Sequence, residues 1–506
     1  MISIYCDRMF YPDFSEVKEI AKNKEYKRIP VAYELFSDIT TPIEVLRILK
    51  GISKHTYMLE SVEDSKKWGR YSFLGFNPIL EFTCQDGVVK IRGDENFVKL
   101  TDEETIIKTD NPSEFIKNLI TKNRSPKLKN LPPFTGGFVG YFAYDYIKYV
   151  EPTLKLDSKN QDQFKDIDLM LFDNVIVFDN FKQKIILIIN MKTDDLESNY
   201  KTACEKLYEL ADLIKNAKKD EIIPLHLKSD FKVTFSREDF TNMVEKAKRY
   251  IYDGDIFQVV LSNKIEAEIT GSLFDTYRVL RTTNPSPYMF YFSSDDIEIA
   301  GASPETLVKL TGDKLYTFPL AGTRPRGKTE AEDSALEKEL LSDIKELSEH
   351  NMLVDLGRND IGKISKLGSV SLDKYLSVEK FSHVMHIGST VSGTLRDDLH
   401  PISAIDSILP AGTLSGAPKI RACEIINELE DNKRGIYGGA IGYIDLSGNI
   451  DTCISIRIAF KRNNKVFIRS GAGIVADSDP EKEYDECLNK AKAVIEALKT
   501  ADGGIQ

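Results

Sequence analysis

The stretch NVIVFDNFKQKIILIINM, residues 174–191, reads as two apolar β-strands around a polar turn. Working outward, GGFVGYFAYDYI (136–147) has the same texture. So do TYMLESV, RYSFLGF, ILEFTC and VVKIRG between residues 55 and 110. Helical patterns flank these runs, from Phe14 to Lys22, over TPIEVLRILKGI after VAYELFSD, at 112–123, and from Leu196 to Lys218. Strands come in groups without regular β-α alternation. That predicts an α+β architecture with largely antiparallel sheets rather than a doubly wound fold.

AKKDEIIPLHLKSD (217–230) mixes charge with a proline, lacks periodicity, and reads as a linker. It divides the chain into a region 1–225 and a region 226–506. The second opens on a capping signal at Ser236 ahead of a helix through Tyr250, and closes on a helix from Pro480 to Leu498. GGFVGY (136–141) and GGAIGY (438–443) share one pattern, which suits two related strands in facing sheets.

The chain has 506 residues, 42% hydrophobic and 29% charged, with a net charge of −11. These values suit a soluble multi-domain protein and disfavour nucleic acid as a partner, because phosphate binding needs a dominant basic face. Asp7 and Arg8 interrupt any signal-peptide core, and no apolar run reaches membrane-spanning length, so a cytoplasmic protein without membrane contact is expected. Six scattered cysteines without a CxxC pair read as reduced core thiols.

Two helical stretches each carry acids at i,i+3: Glu346 with Glu349, and Glu483 with Glu486, followed by Lys490. At about 100° per residue, positions 483, 486 and 490 fall within roughly 60° of one face. Two readings stand at this point. The pairs are solvated surface, or they form an all-oxygen set of the kind Mg²⁺ prefers.

Nine segments extend the pattern: DIFQVVLS (255–262), ASPETLV (302–308), PLAGTRPRG (319–327), KELSEHNMLVDLGRND (345–360), VMHIGSTVSG (384–393), PAGTLSGAPKIRA (410–422), GGAIGY (438–443), IRSGAGIV (468–475) and EYDECLNKA (483–491). In order and spacing the chain resembles the chorismate-utilising enzymes, most closely the large-subunit branch of the anthranilate synthases. The resemblance implies two facing, roughly orthogonal antiparallel β-sheets flanked by helices, with both chain regions sharing one sandwich core. It implies Glu349 and Glu486 as direct Mg²⁺ ligands, with Glu346 and Glu483 nearby, the metal holding the ring carboxylate of chorismate. Arg457 and Tyr437 match groups that bind the enolpyruvyl carboxylate, helped by backbone amides of Gly471, Ala472 and Gly473. Gly322 and Thr323 match further chorismate contacts, and Lys490 a cation beside the metal-bound carboxylate. Glu305 matches a general acid for the departing C4 hydroxyl, and His386 a helper in pyruvate elimination, with Thr323 beside the chemistry.

Two positions speak to the product. Family members that add water at C2 have a lysine base where this chain has Gln258, and glutamine cannot deprotonate water. Members making aminodeoxychorismate carry lysine in PIKGT, where this chain has Ala321 in PLAGT. The resemblance therefore implies amination at C2 by ammonia. No cysteine sits in a glycine-flanked elbow, so that ammonia would come from a separate glutamine amidotransferase subunit in a hetero-oligomer, or free ammonium would substitute. YMLESVE (57–63) and NPSPYMF (284–290) resemble the family's feedback element for L-tryptophan. That implies a slot at Glu60, Ser61, Pro287, Tyr288 and Met289, with Tyr443 and Cys453 lining the same region. Aminodeoxychorismate synthesis and a non-catalytic amino-acid sensor are the alternatives.

Overall fold

The computed structural model describes residues 10–61, 69–93, 104–217, 221–380 and 384–505. The stretch 174–191 folds as a hairpin: Asn174–Asp179 pairs antiparallel with Lys184–Lys192, Val177 opposite Ile186. Both strands are almost wholly buried, which explains why the sequence is apolar on both faces and does not alternate.

Among the described residues the strands form two antiparallel sheets. The first runs from Phe10–Tyr11 through Arg28–Phe36, Lys184–Lys192, Asn174–Asp179, Tyr71–Phe76 and Thr56–Glu60. It then crosses to the C-terminal half at Tyr288–Ser293 and continues through Ile297–Ser303, Ile458–Arg462, Lys465–Ile474 and Gln258–Thr270. The second sheet crosses between the halves where Gly137–Phe142 pairs with Ala440–Asp445. A cluster containing Phe73, Phe134, Val139, Tyr141, Ile299, Tyr443 and Phe460 packs the sheets against each other. The outer face of the first sheet is covered by helices including Leu196–Asn216, Phe274–Thr283 and Pro480–Ala501. The outer face of the second is covered by Ser113–Lys122, Ile344–Gly362 and Ser403–Ile408. No described helix is long and apolar enough to cross a membrane.

Two expectations need correction. The repeated GGx[VI]GY strands do not enter facing sheets. They are neighbours in one sheet, with Gly140 opposite Gly442. Both glycines have positive φ, and a Cβ on either would come within about 2 Å of a carbonyl of the next strand, so the motif marks close backbone approach. The stretch 217–230 is not a free linker either. His226–Leu227 adds an edge strand to Ile269–Thr270, and Leu225 is fully buried. Of the six cysteines, Cys6 lies outside the described residues; the other five are free thiols, four of them buried.

Candidate active site

A cavity of about 540 Å³ opens between the strands Gln258–Thr270 and Lys465–Ile474 and the helices Ile344–Gly362 and Pro480–Ala501. Asp343 and Asp479 cap the two helices, and each side chain accepts from two first-turn amides. Helical spacing then turns Glu349 from one helix, and Glu483, Glu486 and Lys490 from the other, into the same space. Loss of hydration raises the pKa of Glu349, with a further push from Glu346 and Glu486. Glu483 is raised likewise, first by desolvation and then by Glu486. The four carboxylates therefore feel one another's charge, and the oxygen-only donors fit a hard divalent cation held by one or two carboxylates and water. They do not form a compact cage. Among the described residues, the group of three or more potential ligands within 4.8 Å of one another is His55, Glu81 and Asp295, built from other strands and turns. There Arg92 Nη1 already lies 3.3 Å from Asp295.

The far wall carries positive charge. Arg457 has a backbone φ of 56°, a costly conformation for a non-glycine residue. Its guanidinium donates to the Lys490 carbonyl, has no carboxylate partner among the described residues, and has its pKa lowered by burial. Tyr437 stands beside it, its phenol pushed up by burial. Gly471 lies beneath: a Cβ there would meet Tyr437 Oη at 2.9 Å and the Leu261 carbonyl at 2.6 Å, so only glycine lets strand and phenol come together. Lys490 Nζ donates to the Gly471 carbonyl at 3.1 Å and pairs with Glu486 at 2.7 Å. In an antiparallel strand the N–H and C=O of one residue point the same way, so the Gly471 and Gly473 amides face the open edge and Ala472 faces its partner Leu261. Ala472 is fully buried and belongs to the sheet, not to the cavity.

Glu305 lines the cavity just before the strand Thr306–Thr311. Burial pushes its carboxyl up to about 7, while neighbouring Thr413 and Lys490 pull the other way. A carboxylic acid protonated near neutrality is equipped to donate.

His386, Thr323, Gly322 and Glu346 gather next door, outside the cavity lining. His386 Nδ1 lies 2.7 Å from the Gly322 carbonyl and 3.1 Å from Thr323 Oγ1. Arg324 lies 3.5 Å from Glu346. The cause is an irregularity in pairing between Ala321 and Arg324, which carries 322–323 onto His386. Leu320, not Ala321, lines the cavity, and Ala321 packs opposite Ile387.

A family model described as chorismate binding enzyme matches residues 56–496. Anthranilate synthase component 1 of Acetivibrio thermocellus is 45% identical, over 97% of this chain and 99% of its own. The Aquifex aeolicus protein of the same name is 42% identical over 96% and 97%. The crystal structure of anthranilate synthase component I from Streptococcus pneumoniae TIGR4 superposes with a TM-score of 0.73 at 38% identity, covering 91% of this chain and 98% of that one. The chain belongs to the chorismate-binding enzyme family. Its two facing antiparallel sheets with flanking helices are the fold that the resemblance implied.

In this chorismate-binding enzyme the residues matched to tryptophan lie where the sheets cross between chain halves. Met289 pairs with Glu60 across the first crossing, and Tyr443 sits on the second. The set is not gathered on one surface. Glu60 is buried and turned toward the helix Phe274–Thr283, where Tyr277 Oη donates at 2.6 Å and Arg281 donates at 2.6 and 3.1 Å. Both of its oxygens are thus engaged by protein. Tyr288, Tyr443 and Cys453 belong with the inter-sheet cluster, Tyr288 Oη donating to Asp451 at 2.8 Å and Tyr443 stacking on Phe134 at 4.5 Å. Alternation along a strand explains the split, since Met289 packs with the outer-face cluster and its neighbour Tyr288 with the inner one. Pro287 precedes that strand and Ser61 follows its partner. Val62 and Glu63 lie outside the described residues.

Of the cavity residues that sequence reading did not single out, three carry charge or face Glu305: Lys345, Thr413 and Arg469. Arg469 had a signal, because strand alternation puts 469, 471 and 473 in step. It is held by Glu430 at 2.8 Å and Ser262 at 2.8 Å, in a buried network that Arg434 completes. Lys345 and Thr413 had none, each standing in a segment read for another residue.

Proposed function

We propose that this chain is the chorismate-aminating large subunit of an anthranilate synthase. It adds ammonia to C2 of chorismate and eliminates pyruvate, giving anthranilate in the first committed step of tryptophan synthesis. The observation that carries this reading is the cavity itself, which is lined both by a buried carboxyl whose pKa is pushed up to about 7 and by a guanidinium that has no carboxylate partner among the described residues. Chorismate is a dianion, and Arg457, Tyr437 and the open-edge amides of Gly471 and Gly473 offer its enolpyruvyl carboxylate charge and donors. Glu349 and Glu486 would hold Mg²⁺, with Glu346 and Glu483 nearby, and the ion would supply a Lewis-acidic anchor for the ring carboxylate. Glu305 gives its proton to the C4 hydroxyl as ammonia bonds to C2, so that water leaves. Gln258, which also lines the cavity, has no basic lone pair to activate water, and this favours amination over hydroxylation. His386, held by Gly322 and Thr323, reaches the ring only if that segment moves toward the cavity; its pKa, lowered by burial, suits a neutral proton carrier for the elimination.

The ammonia comes from a separate glutaminase. Burial raises the pKa of Cys84 to about 11 and also raises Cys423, Cys453 and Cys487, the opposite of what a glutaminase nucleophile needs. L-tryptophan inhibits by binding at the crossing between chain halves, in a second arrangement that brings Ser61, Pro287, Tyr288, Met289, Tyr443 and Cys453 around it and releases Glu60 from Arg281 to meet its ammonium.

The test is an assay of the purified chain with chorismate, Mg²⁺ and ammonium, following anthranilate fluorescence with and without tryptophan. Metal-dependent anthranilate that tryptophan suppresses is expected. An aminodeoxy or hydroxylated product would overturn the reading of Gln258 and Ala321. Tryptophan binding without turnover would make the chain a sensor.

A further inference from the structure

Glu305 has two sides. In front it lines the large cavity; behind, it also lines a second, adjoining space of about 40 Å³ against the helix Ile344–Gly362, with Leu353 and Thr413 on the border between the two. Thr317, Asp360 and Thr413 interrupt the otherwise mostly apolar wall of that rear space. A volume of this size accommodates about two or three water molecules, provided polar groups receive them. Thr413 Oγ1 is such a group, buried beside the Glu305 carboxyl without a well-aligned partner. Asp360 closes the other end. One of its oxygens accepts from Lys419 Nζ at 2.9 Å, and Lys419 is itself fixed by the Ile408 carbonyl at 2.9 Å. The other oxygen lies 3.8 Å from Lys363, whose side chain is 47% exposed. Proton-carrying groups therefore run from Glu305 through the rear space to Asp360, Lys363 and bulk water.

The chemistry gives that file a task. When the C4–O bond breaks, the Glu305 proton leaves with the hydroxyl as water. Glu305 is then one proton short, and the nitrogen added at C2 carries one too many. The substrate occupies the front of Glu305 at that moment.

We propose that Glu305 is reprotonated from behind, by water in the rear cavity, and that Asp360 is the positioning residue that holds this water and passes it a proton from bulk solvent. A water O–H bond breaks as the Glu305 O–H bond forms, and the proton taken from that water is replaced across Asp360. The surplus proton on nitrogen departs to solvent through the front cavity, so the proton count closes and no electrons change hands. This rests on the amination reading above, since only a proton-donating Glu305 needs recharging.

Two substitutions in the full chain test it, assayed with chorismate, Mg²⁺ and ammonium in H₂O and D₂O. Asp360→Asn keeps the shape and removes the transferable proton. Gly412→Ala leaves Asp360 and Lys419 in place and crowds the rear space, because its Cβ would meet Leu356 Cδ1 at 2.6 Å. In both, kcat is expected to fall about tenfold with KM for chorismate unchanged, and the solvent isotope effect to rise on kcat but not on kcat/KM. Loss of packing alone would lower kcat without moving the isotope effect, and that result, or an unchanged kcat in Asp360→Asn, overturns the relay. Absence of anthranilate from the unsubstituted chain would instead remove the amination reading on which it stands.

Discussion

The candidate cavity and the crossing between chain halves treat charge in opposite ways. In the cavity, Arg457 meets no carboxylate among the described residues, Glu305 has its pKa pushed up to about 7, and Glu349 and Glu483 crowd other acids. At the crossing, Glu60 is gripped by Arg281 and Tyr277, and Tyr288 is hydrogen-bonded to Asp451 and Thr306. A site that works on a charged substrate must keep groups available for it, aimed in advance. A site that responds to an effector must exist in two arrangements, and closing on itself gives the effector contacts to displace. The two regions also touch: Thr306, bonded to Tyr288, is the residue after Glu305, and it pairs with Cys453.

If this contrast holds, losses in the cavity are losses of activity and losses at the crossing are losses of stability. The largest effect is expected from Glu305→Gln, which should reduce anthranilate formation about 10³-fold and leave chorismate binding intact. Retained turnover would take Glu305 out of the acid role. The same carboxyl sets a pH dependence. Its pKa is raised from 4.5 to about 7, so it favours the fold fully below pH 4.5 and loses that contribution as pH rises through 7. In the free enzyme, kcat/KM should decline over the same upper limb, and Glu305→Gln should melt higher than the parent above pH 7. A parent profile flat to pH 9 would contradict the assignment.

Next comes Arg457→Met. Removal of a charge-assisted carboxylate clamp should lower kcat/KM for chorismate about 100-fold, or roughly 3 kcal/mol. Melting temperature should hardly move, because no buried carboxylate is left unpaired. A large destabilisation would break the contrast. Arg281→Ala should do the reverse, stranding a buried Glu60 at a cost of about 2 kcal/mol, discounted because Arg281 is partly exposed, with KM for chorismate unchanged. Denaturant unfolding measures it. The smallest change in the uninhibited enzyme is expected from Ser61→Phe, which should relieve tryptophan inhibition with kcat kept within about twofold. Unchanged sensitivity would remove the slot from this end of Thr56–Glu60.

Much of this was legible in the chain. The hairpin at 174–191, the cap at Ser236, the helix start at Pro480, and the acid pairs at i,i+3 depend on near neighbours and repeat geometry, which sequence carries directly. The GGx[VI]GY pair was visible, but its placement was not, because facing sheets and adjacent strands both call for close backbone approach. That His386 meets Thr323 beside the cavity lining was not visible, because a pairing irregularity of two or three residues leaves no mark on a motif.

The sequence by itself determined the strands, the helices, the family, and the residue types that one catalytic site requires. Tertiary structure alone decided which of them share a surface. It turned Glu60 toward Arg281, placed Ala472 behind the cavity wall, and set Asp360 behind Glu305, 55 residues away along the chain. The physical reason is that burial and charge act through space. The pKa of a carboxyl is fixed by how much water it loses and which charges surround it, and both are properties of the packed fold.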